Sequence, residues 1–267
     1  MKHDPTYRPP VLLLHGLGGT GETLRPIAQA LERRGFSVTH PTLAEAHRRA
    51  TLSGAGMTSG LAHIGLDFLL DEARTYAKRI AACGTPPIIC GHSNGALLAL
   101  ALGSDDLAAG VVLMAPAPPP SVGTGVPLWL QQLFFRLAFG AGWQRGVLDL
   151  GAARRLDPDP PSPAIARTLL QDSGRVLSEA AALRPGSRFD PDPPLEVPCA
   201  VLAGDRDRIV PIETARRIAA RYSAEVHVFQ GAGHWFPAEE CRAREIATRI
   251  AHLVGSALPY TFEVPSA

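Results

Sequence analysis

Short apolar runs alternate with amphipathic helical patterns along most of this chain, and this alternation limits its fold more than any other feature. It is typical of a parallel sheet, because helices cover both faces of such a sheet and its strands are apolar throughout. With 267 residues and 46% hydrophobic content, the chain is long enough to bury the core of one large domain. Six runs have the length and composition of strands, and they span residues 11–14, 36–39, 87–90, 111–114, 199–202 and 226–229. The sequence therefore predicts an α/β fold with about six mostly parallel strands and helices on both faces.

The alternation is interrupted once, between Pro116 and Pro198, where 14 of the chain's 25 prolines fall. Two stretches of this region, 157–161 and 190–194, both have the sequence Asp-Pro-Asp-Pro-Pro. Proline restricts the residue before it to extended conformations, so we expect both stretches to be rigid, exposed connections. We predict that residues 116–197 form an inserted helical cap, and that residues 1–115 and 198–267 form the core.

The segment Gly91-His92-Ser93-Asn94-Gly95 joins the third predicted strand to an apolar helical pattern. In this context the form G-x-S-x-G forces the serine into a strained turn that exposes its hydroxyl, and the two glycines leave room for the strand to pack on the helix. The N-terminus of the helix would stabilise negative charge on a nearby oxygen. Ser93 is therefore a candidate nucleophile, although a tight turn without catalysis has the same pattern.

A serine hydroxyl needs a general base at neutral pH, and the base needs a group that orients it. Asp207 lies in the loop after the fifth predicted strand, and His234 lies in the loop after the sixth. Because the strands are predicted to be parallel, these two residues and Ser93 fall on loops at the same edge of the sheet. Each of the two fits an ordinary loop residue when taken alone, but with Ser93 in this order they favour a catalytic triad. Asp205 lies in the same loop as Asp207 and is the alternative acid.

Residues 16–21 also match the dinucleotide-binding pattern G-x-G-x-x-G between a strand and a helix. That function requires an acidic residue about 20 positions later, at the end of the second strand, to bind the ribose hydroxyls. The second predicted strand ends at Thr39-His40-Pro41, and Glu45 lies beyond the proline. We therefore expect no dinucleotide cofactor.

With these motifs in this order, the chain resembles the serine esterases and lipases of the α/β-hydrolase fold over nearly its whole length. The matching segments are 15–16 after the first strand, the turn around Ser93, and the loops 204–211 and 233–234. The resemblance implies that residues 16–19 form an oxyanion-hole loop. In that loop the backbone N–H of Leu17 would bind the oxyanion together with the N–H of Asn94.

The resemblance also implies roles for several other residues. The family's spacing from glycine to acid favours Asp207 and leaves Asp205 as the fallback. His15 is expected to shape the oxyanion loop, and His92 is expected to be structural, with its side chain directed away from the Ser93 hydroxyl. Since only ten residues precede Val11, the family's usual sheet is expected to be trimmed to about six strands.

The predicted cap contains an aromatic segment that bears on the substrate. Residues 126–143 hold five of the chain's sixteen aromatic residues, with leucines at helical spacing between them. One interpretation is an ordinary cap helix that packs against the domain. The other is an apolar lid over the substrate pocket, and the two interpretations are compatible. Trp129 and Phe134, with Trp235 beside His234, are the candidate substrate-binding residues. The expected reaction is cleavage of a carboxylic ester with an apolar acyl or alcohol group.

A serine triad does not by itself select the reaction. Lactonase, thioesterase, amidase and carbon–carbon bond hydrolase activities remain alternatives within the same fold, and a non-catalytic ligand-binding module is a lesser one. Neither the acidic residues and histidines nor the four cysteines have metal-ligand spacing, so we expect no metal or other cofactor. The cysteines are Cys83, Cys90, Cys199 and Cys241.

Charge and targeting signals exclude several classes of partner. Twenty-six basic against 25 acidic residues give a net charge of +1, which provides no attraction for nucleic acid or an anionic membrane. Residues 126–143 are too short and polar to span a bilayer, so integral membrane association is not expected. The first ten residues lack the charged start and apolar run of a secretory signal, so we expect a cytoplasmic protein. The expected partner is a small apolar ester, and the oligomeric state is not predicted.

Overall fold

The computed structural model describes residues 8–52, 60–140, 142–148 and 157–257. Residues 1–7, where part of the search for a secretory signal falls, and residues 149–156 of the predicted cap lie outside the described ranges. The strands, in chain order, are β1 (Val11–Leu14), β2 (Val38–Thr39), β3 (Ile88–His92), β4 (Gly110–Met114), β5 (Val147–Leu148), β6 (Asp172–Ser173), β7 (Cys199–Gly204) and β8 (Glu225–Phe229).

Six of these strands form one sheet in the order β2-β1-β3-β4-β7-β8, and every neighbouring pair is parallel. β5 and β6 pair antiparallel in a separate two-stranded sheet. The predicted six-stranded parallel sheet is therefore confirmed. β2 is shorter than expected, since only Val38 and Thr39 pair with β1.

Helices cover both faces of the sheet, as predicted. They are α1 (Arg25–Glu32), α2 (Glu45–Leu52), α3 (Leu66–Ala81), α4 (Gly95–Ser104), α5 (Leu128–Phe139), α6 (Gly142–Arg145), α7 (Pro163–Ala166), α8 (Gly174–Ala182), α9 (Ile212–Arg221) and α10 (Glu240–Ala257). Successive side chains of a strand point to opposite faces, so Leu12 and Leu14 pack with α3, α4 and α9, whereas Val11 and Leu13 pack with α1 and α10. None of the helices in the described ranges combines the length and apolar character needed to cross a membrane.

The register of the parallel strands brings the candidate loops together. Leu14 at the end of β1 pairs with Gly91 of β3, so the chain leaves both strands side by side just before Leu17 and Ser93. Gly204 at the end of β7 pairs with Phe229 at the end of β8, so the loops that follow these strands are also neighbours. The four loops predicted to carry the site therefore leave the sheet along its carboxyl edge.

Helix α2 and the small β5–β6 sheet are absent from the sequence prediction. Five of the eight residues of α2 are polar or charged, and the strands of the β5–β6 sheet have only two residues each. Neither element has a sustained apolar period, which is the signal that predicts helices and strands. α2 matters for the site because it carries the buried side chain of Arg48.

Residues 116–197, called the cap segment below, contain α5 to α8 and the β5–β6 sheet. Trp143, Leu148 and Leu177 of this segment form a small buried cluster, against which Leu17 of the core packs. By contrast, α5 buries none of its residues. The boundaries of the cap segment and its separation from the core stay a prediction.

The two Asp-Pro-Asp-Pro-Pro stretches are more than exposed connections, so that expectation is wrong in part. Asp190 is fully buried and accepts hydrogen bonds from the N–H and the hydroxyl of Ser121, at 2.8 and 2.6 Å. Asp159 is half-buried and accepts a hydrogen bond from the backbone N–H of His234. These partners lie 69 and 75 positions away along the chain, so the local pattern of prolines does not reveal them.

The contrast between α4 and α5 predicts opposite responses to the same substitution. Leu100 of α4 is fully buried, so Leu100→Ala should lower the free energy of unfolding by about 2–5 kcal/mol, through lost burial and the cavity left behind. Leu137 of α5 is 68% exposed, so Leu137→Ala should change it by less than about 0.5 kcal/mol. Urea unfolding of both variants measures the difference, and equal losses would contradict the described packing of the two helices.

Candidate active site

Ser93 lies in a tight turn between β3 and α4, and its φ of +53° is in the left-handed region that non-glycine residues rarely adopt. A Cβ atom at Gly91 would overlap the carbonyl of Gly95, and one at Gly95 would overlap the carbonyl of Leu14. Only glycine at these two positions therefore lets α4 approach the strands. The N–H of Ser93 donates to Met114 O at 3.0 Å, which holds the strained turn in place.

The structure brings Ser93, His234 and Asp207 into one hydrogen-bonded chain. His234 Nε2 lies 3.1 Å from Ser93 Oγ, and His234 Nδ1 lies 2.9 Å from Asp207 Oδ2. Since a carboxylate only accepts, Nδ1–H donates to Asp207, and Nε2 is left to accept the proton of the serine hydroxyl. The imidazole and the carboxylate are buried, so water does not compete strongly for the hydrogen bond between them.

Two aspartates lie in the loop of residues 204–211, called the acid loop below, and their hydrogen bonds differ. Asp207 Oδ1 accepts the N–H groups of Ile209 and Val210 at 2.8 and 2.7 Å, which leaves Oδ2 for His234. Asp205 Oδ1 instead accepts the N–H of Gly231 at 2.6 Å and ties the acid loop to residues 231–235, called the base loop below. Asp207, and not Asp205, is therefore the acid that contacts the histidine.

The loop after β1 lies directly against Ser93. A Cβ atom at Gly16 would be 2.7 Å from Ser93 Cβ, so only glycine permits this approach. In the described part of the chain, the backbone N–H groups of Leu17 and Asn94 donate to no protein acceptor. Both predicted oxyanion donors are therefore free to bind a substrate oxygen.

His15 shapes this loop through both ring nitrogens. Its Nδ1–H donates to Gly16 O at 2.9 Å, and its Nε2 accepts the N–H of Leu43 at 2.9 Å. Burial lowers the pKa of His15 to about 3, and the nearby positive charge of Arg48 acts in the same direction. A neutral ring with both nitrogens occupied does not transfer protons, in agreement with the structural role expected for it.

His92 supports the base loop from within the core. Its Nε2–H donates to the backbone carbonyl of His234 at 3.1 Å, and its side chain makes no hydrogen bond to Ser93. Burial lowers the pKa of His92 to about 3, so the ring is neutral at physiological pH. The ring of Trp235 contacts the rings of both histidines edge-on, with centroids 5.6 Å from His92 and 5.9 Å from His234.

The three candidate substrate-binding residues occupy different places. Trp235 packs beside His234, whereas Trp129 and Phe134 are 66% and 41% exposed on α5. A cavity of about 10 Å³ is lined by residues that include Leu17 and Asn94, and by none of these three aromatic residues. That volume holds about one water molecule, so this cavity is not the pocket for an acyl chain.

Three polar residues at the site are missing from the sequence prediction. Asp159 of the cap segment accepts the backbone N–H of His234, and Asp172 of β6 accepts the N–H of Gly18 at 2.6 Å. Arg48 of α2 pairs with Asp172 at 2.9 Å. These contacts join residues 75, 154 and 124 positions apart, and no local pattern marks them.

Two other kinds of chemistry, thiolate attack and metal binding, depend on the surroundings of the cysteine, histidine and acidic side chains. Burial raises the pKa of the Cys199 thiol to about 12 and raises that of Cys90 further, so neither forms a nucleophilic thiolate at neutral pH. Within the described ranges, no group of three or more histidine, cysteine, aspartate or glutamate side chains is arranged to hold a metal ion.

A parallel α/β sheet with a serine, a histidine and an aspartate hydrogen-bonded on loops at its carboxyl edge defines the class of the α/β hydrolases. The model of the alpha/beta hydrolase family matches residues 11–249, and the chain belongs to this family. A comparison with curated proteins finds no match.

Several solved structures share this fold. One is a monoacylglycerol lipase from Paleococcus ferrophilus, with a TM-score of 0.64 and 19% identity over 93% of this chain and 96% of that chain. A thermophilic esterase from Thermogutta terrifontis has a TM-score of 0.63 and 19% identity over 92% and 91%. A pyrethroid hydrolase from Sphingobium faniae has a TM-score of 0.58 and 19% identity over 93% and 98%. At these identities the likeness concerns the fold.

The two buried neutral histidines predict how stability depends on pH. His15 and His92 bind a proton in the folded protein only near pH 3, whereas in the unfolded chain they bind one below about pH 6.5. Between these values the unfolded state binds more protons, so the free energy of unfolding falls as pH decreases, by up to about 1.4 kcal/mol per pH unit for each histidine. Urea unfolding at about pH 7, 6 and 5 measures this slope.

A variant pair separates this effect from other titrations. His92→Phe removes one of the two protonation sites and should reduce the slope by up to about 1.4 kcal/mol per pH unit. Phe229 is a buried ring without a titratable group, so Phe229→Leu should leave the slope unchanged even though it disturbs the core. The same slope in His92→Phe and in the unsubstituted protein would contradict the assignment.

Proposed function

We propose that this protein is a serine hydrolase that cleaves a carboxylic ester through an acyl-enzyme intermediate. The observation that carries the proposal is the continuous hydrogen-bonded chain from Ser93 Oγ through His234 to Asp207, with distances of 3.1 and 2.9 Å. A histidine placed in this way accepts the proton of the serine hydroxyl at the moment of attack.

In the first half of the reaction, Ser93 Oγ attacks the ester carbonyl carbon while its proton passes to His234 Nε2. The carbonyl electron pair moves to oxygen, and the oxyanion is bound by the N–H groups of Leu17 and Asn94. Asp207 stabilises the imidazolium and keeps its Nδ1 protonated. The bond between the carbonyl carbon and the alkoxy oxygen then breaks, and His234 protonates that oxygen. The alcohol departs, and the acyl group stays bound to Ser93 Oγ as an ester.

The second half repeats these steps with water as the nucleophile. His234 takes a proton from the water, the water oxygen attacks the acyl carbon, and the same two N–H groups bind the second oxyanion. When the bond to Ser93 Oγ breaks, His234 returns its proton to that oxygen. The carboxylic acid is released and the serine hydroxyl is restored.

An apolar substrate is supported by the surroundings of Leu17. This oxyanion-loop residue packs against the buried cluster of Trp143, Leu148 and Leu177, with Phe135 and Phe139 beside it. α5 adds exposed apolar side chains on the same cap segment. We propose that the cap segment acts as an apolar lid and that Trp129, Phe134 and Trp235 contact the acyl or alcohol group.

The proposed nucleophile predicts covalent labelling. A fluorophosphonate should modify the protein at Ser93, and Ser93→Ala should abolish both the labelling and the hydrolysis of an activated ester, because no other group takes over the attack. Mass spectrometry of the labelled peptide and steady-state rates measure these outcomes. An unlabelled wild-type protein, or a Ser93→Ala variant with full esterase rate, would refute the mechanism.

The two aspartates of the acid loop provide a matched control. Asp207→Asn should lower kcat about 10³- to 10⁴-fold, because an amide does not hold the histidine in the required tautomer. Asp205→Asn should lower kcat less than about tenfold, since the amide oxygen still accepts the Gly231 N–H. Similar losses in both variants would contradict the assignment of the acid.

The proposed apolar substrate predicts a trend in a series of nitrophenyl esters. Between acetate, butyrate and octanoate, kcat/KM should rise by up to about fourfold for each methylene that becomes buried. Phe134→Ala should weaken this rise and leave the acetate rate nearly unchanged. Lactone, thioester and amide substrates tested beside the esters should be hydrolysed more slowly. A higher kcat/KM for any of them would show that its class, and not the ester, is the preferred substrate.

A further inference from the structure

A buried ion pair joins the cap segment to the core beside the oxyanion loop. The side chains of Arg48 and Asp172 are 1% and 2% exposed, and Arg48 Nη2 lies 2.9 Å from Asp172 Oδ2. Both residues also line the small cavity that the two oxyanion donors, Leu17 and Asn94, border. Removing two charges from water is costly, and well-packed apolar side chains often stabilise a protein equally well. Stability alone therefore does not account for a charged pair at this position.

The pair is hydrogen-bonded to the two residues that follow Leu17. Asp172 Oδ2 accepts the N–H of Gly18 at 2.6 Å, and Arg48 Nη1 donates to Gly19 O at 3.1 Å. The cap segment also binds the carbonyl of Gly18, because the backbone N–H of Leu170 donates to Gly18 O at 2.9 Å. The peptide unit after Leu17 is thus held by the carboxylate of Asp172.

The peptide unit before Leu17 is held from within the core. Gly16 O accepts hydrogen bonds from His15 Nδ1–H at 2.9 Å and from the N–H of Gly19 at 3.0 Å. Because a peptide unit is planar, the Leu17 N–H points opposite to the Gly16 carbonyl, and it reorients only by rotation about the backbone bonds on either side of that unit. Holding the next unit, between Leu17 and Gly18, blocks the rotation at Leu17, so the two constraints together fix the direction of the Leu17 N–H. The core supplies one of these two constraints, and Asp172 of the cap segment supplies the other.

We propose that Asp172, with its charge balanced by Arg48, is a positioning residue that directs the Leu17 N–H at the oxyanion. This inference rests on the proposed function. A single carboxylate oxygen accepts from the Gly18 N–H and from Arg48 at once, and hydrogen bonds to an ionised acceptor are shorter and stronger than neutral ones. Arg48 also cancels a negative charge that would otherwise oppose the oxyanion. The cap segment thereby completes the oxyanion hole.

The test is Asp172→Asn, which removes the charge but keeps an oxygen that can accept the Gly18 N–H. We expect kcat for ester hydrolysis to fall about 10- to 100-fold while KM changes less than about threefold, because a misdirected donor weakens transition-state binding more than ground-state binding. The rate of fluorophosphonate labelling at Ser93 should fall in parallel, since that reaction also places negative charge on an oxygen in the hole.

Asp190→Asn is the matched control. Asp190 is another fully buried aspartate of the cap segment and pairs with Arg221 at 3.3 Å, but its other hydrogen bonds go to Ser121 and Tyr222. Its replacement should lower the melting temperature and leave kcat within about twofold, because none of these partners belongs to the oxyanion loop. A kcat loss in Asp172→Asn no larger than in this control would overturn the positioning role.

Arg48→Lys decides the question if Asp172→Asn does not fold. Lysine keeps the positive charge but lacks the planar fork that reaches Asp172 and Gly19 together, so we expect a smaller fall in kcat, again with little change in KM. Wild-type kcat in this variant would overturn the inference. A wild-type protein that is not labelled at Ser93 would instead refute the proposed function, whereas a labelled wild type with an unaffected Asp172→Asn variant would refute the positioning role alone.

Discussion

The close approach of α4 to the ends of β1 and β3 is the constraint on which the rest of the site depends. Gly95 lies against the carbonyl of Leu14, and Gly91 lies against Gly95, so a side chain at either glycine would push the helix away from the sheet. This packing leaves Ser93 in a left-handed turn, with its hydroxyl beside the N-terminus of the helix. Because β1 ends next to β3, the predicted oxyanion loop, residues 16–19, lies against the same serine.

The cap segment provides acceptors for two loops of the proposed site. Asp172 accepts the N–H of Gly18 in the predicted oxyanion loop, and Asp159 accepts the N–H of His234 in the base loop. An ionised carboxylate only accepts, so it suits backbone donors that have no partner in the sheet. Under the proposed function, the cap segment does more than cover the substrate, because the geometry of the nucleophilic attack depends on Asp159 and Asp172 as well as on the triad.

The predictable elements are those with a local signal. Apolar runs identified all six strands of the sheet, and the G-x-S-x-G turn identified Ser93 because its two glycines are a requirement of the turn itself. Helix α2 and the two-residue strands β5 and β6 have no such period, and they carry Arg48 and Asp172. The sequence prediction therefore contained the serine, histidine and acid but lacked the ion pair beside the oxyanion loop.

By itself, the sequence determined the six strands of the parallel sheet and the loops that carry Ser93, Asp207 and His234. These properties follow from periodicity and turn chemistry within a few neighbouring residues. Only the tertiary structure decided that Asp207 rather than Asp205 contacts the histidine, and that Asp159 and Asp172 bind the loops of the proposed site. Those hydrogen bonds join residues 27, 75 and 154 positions apart, and the path that the folded chain takes between them is not encoded in any local pattern.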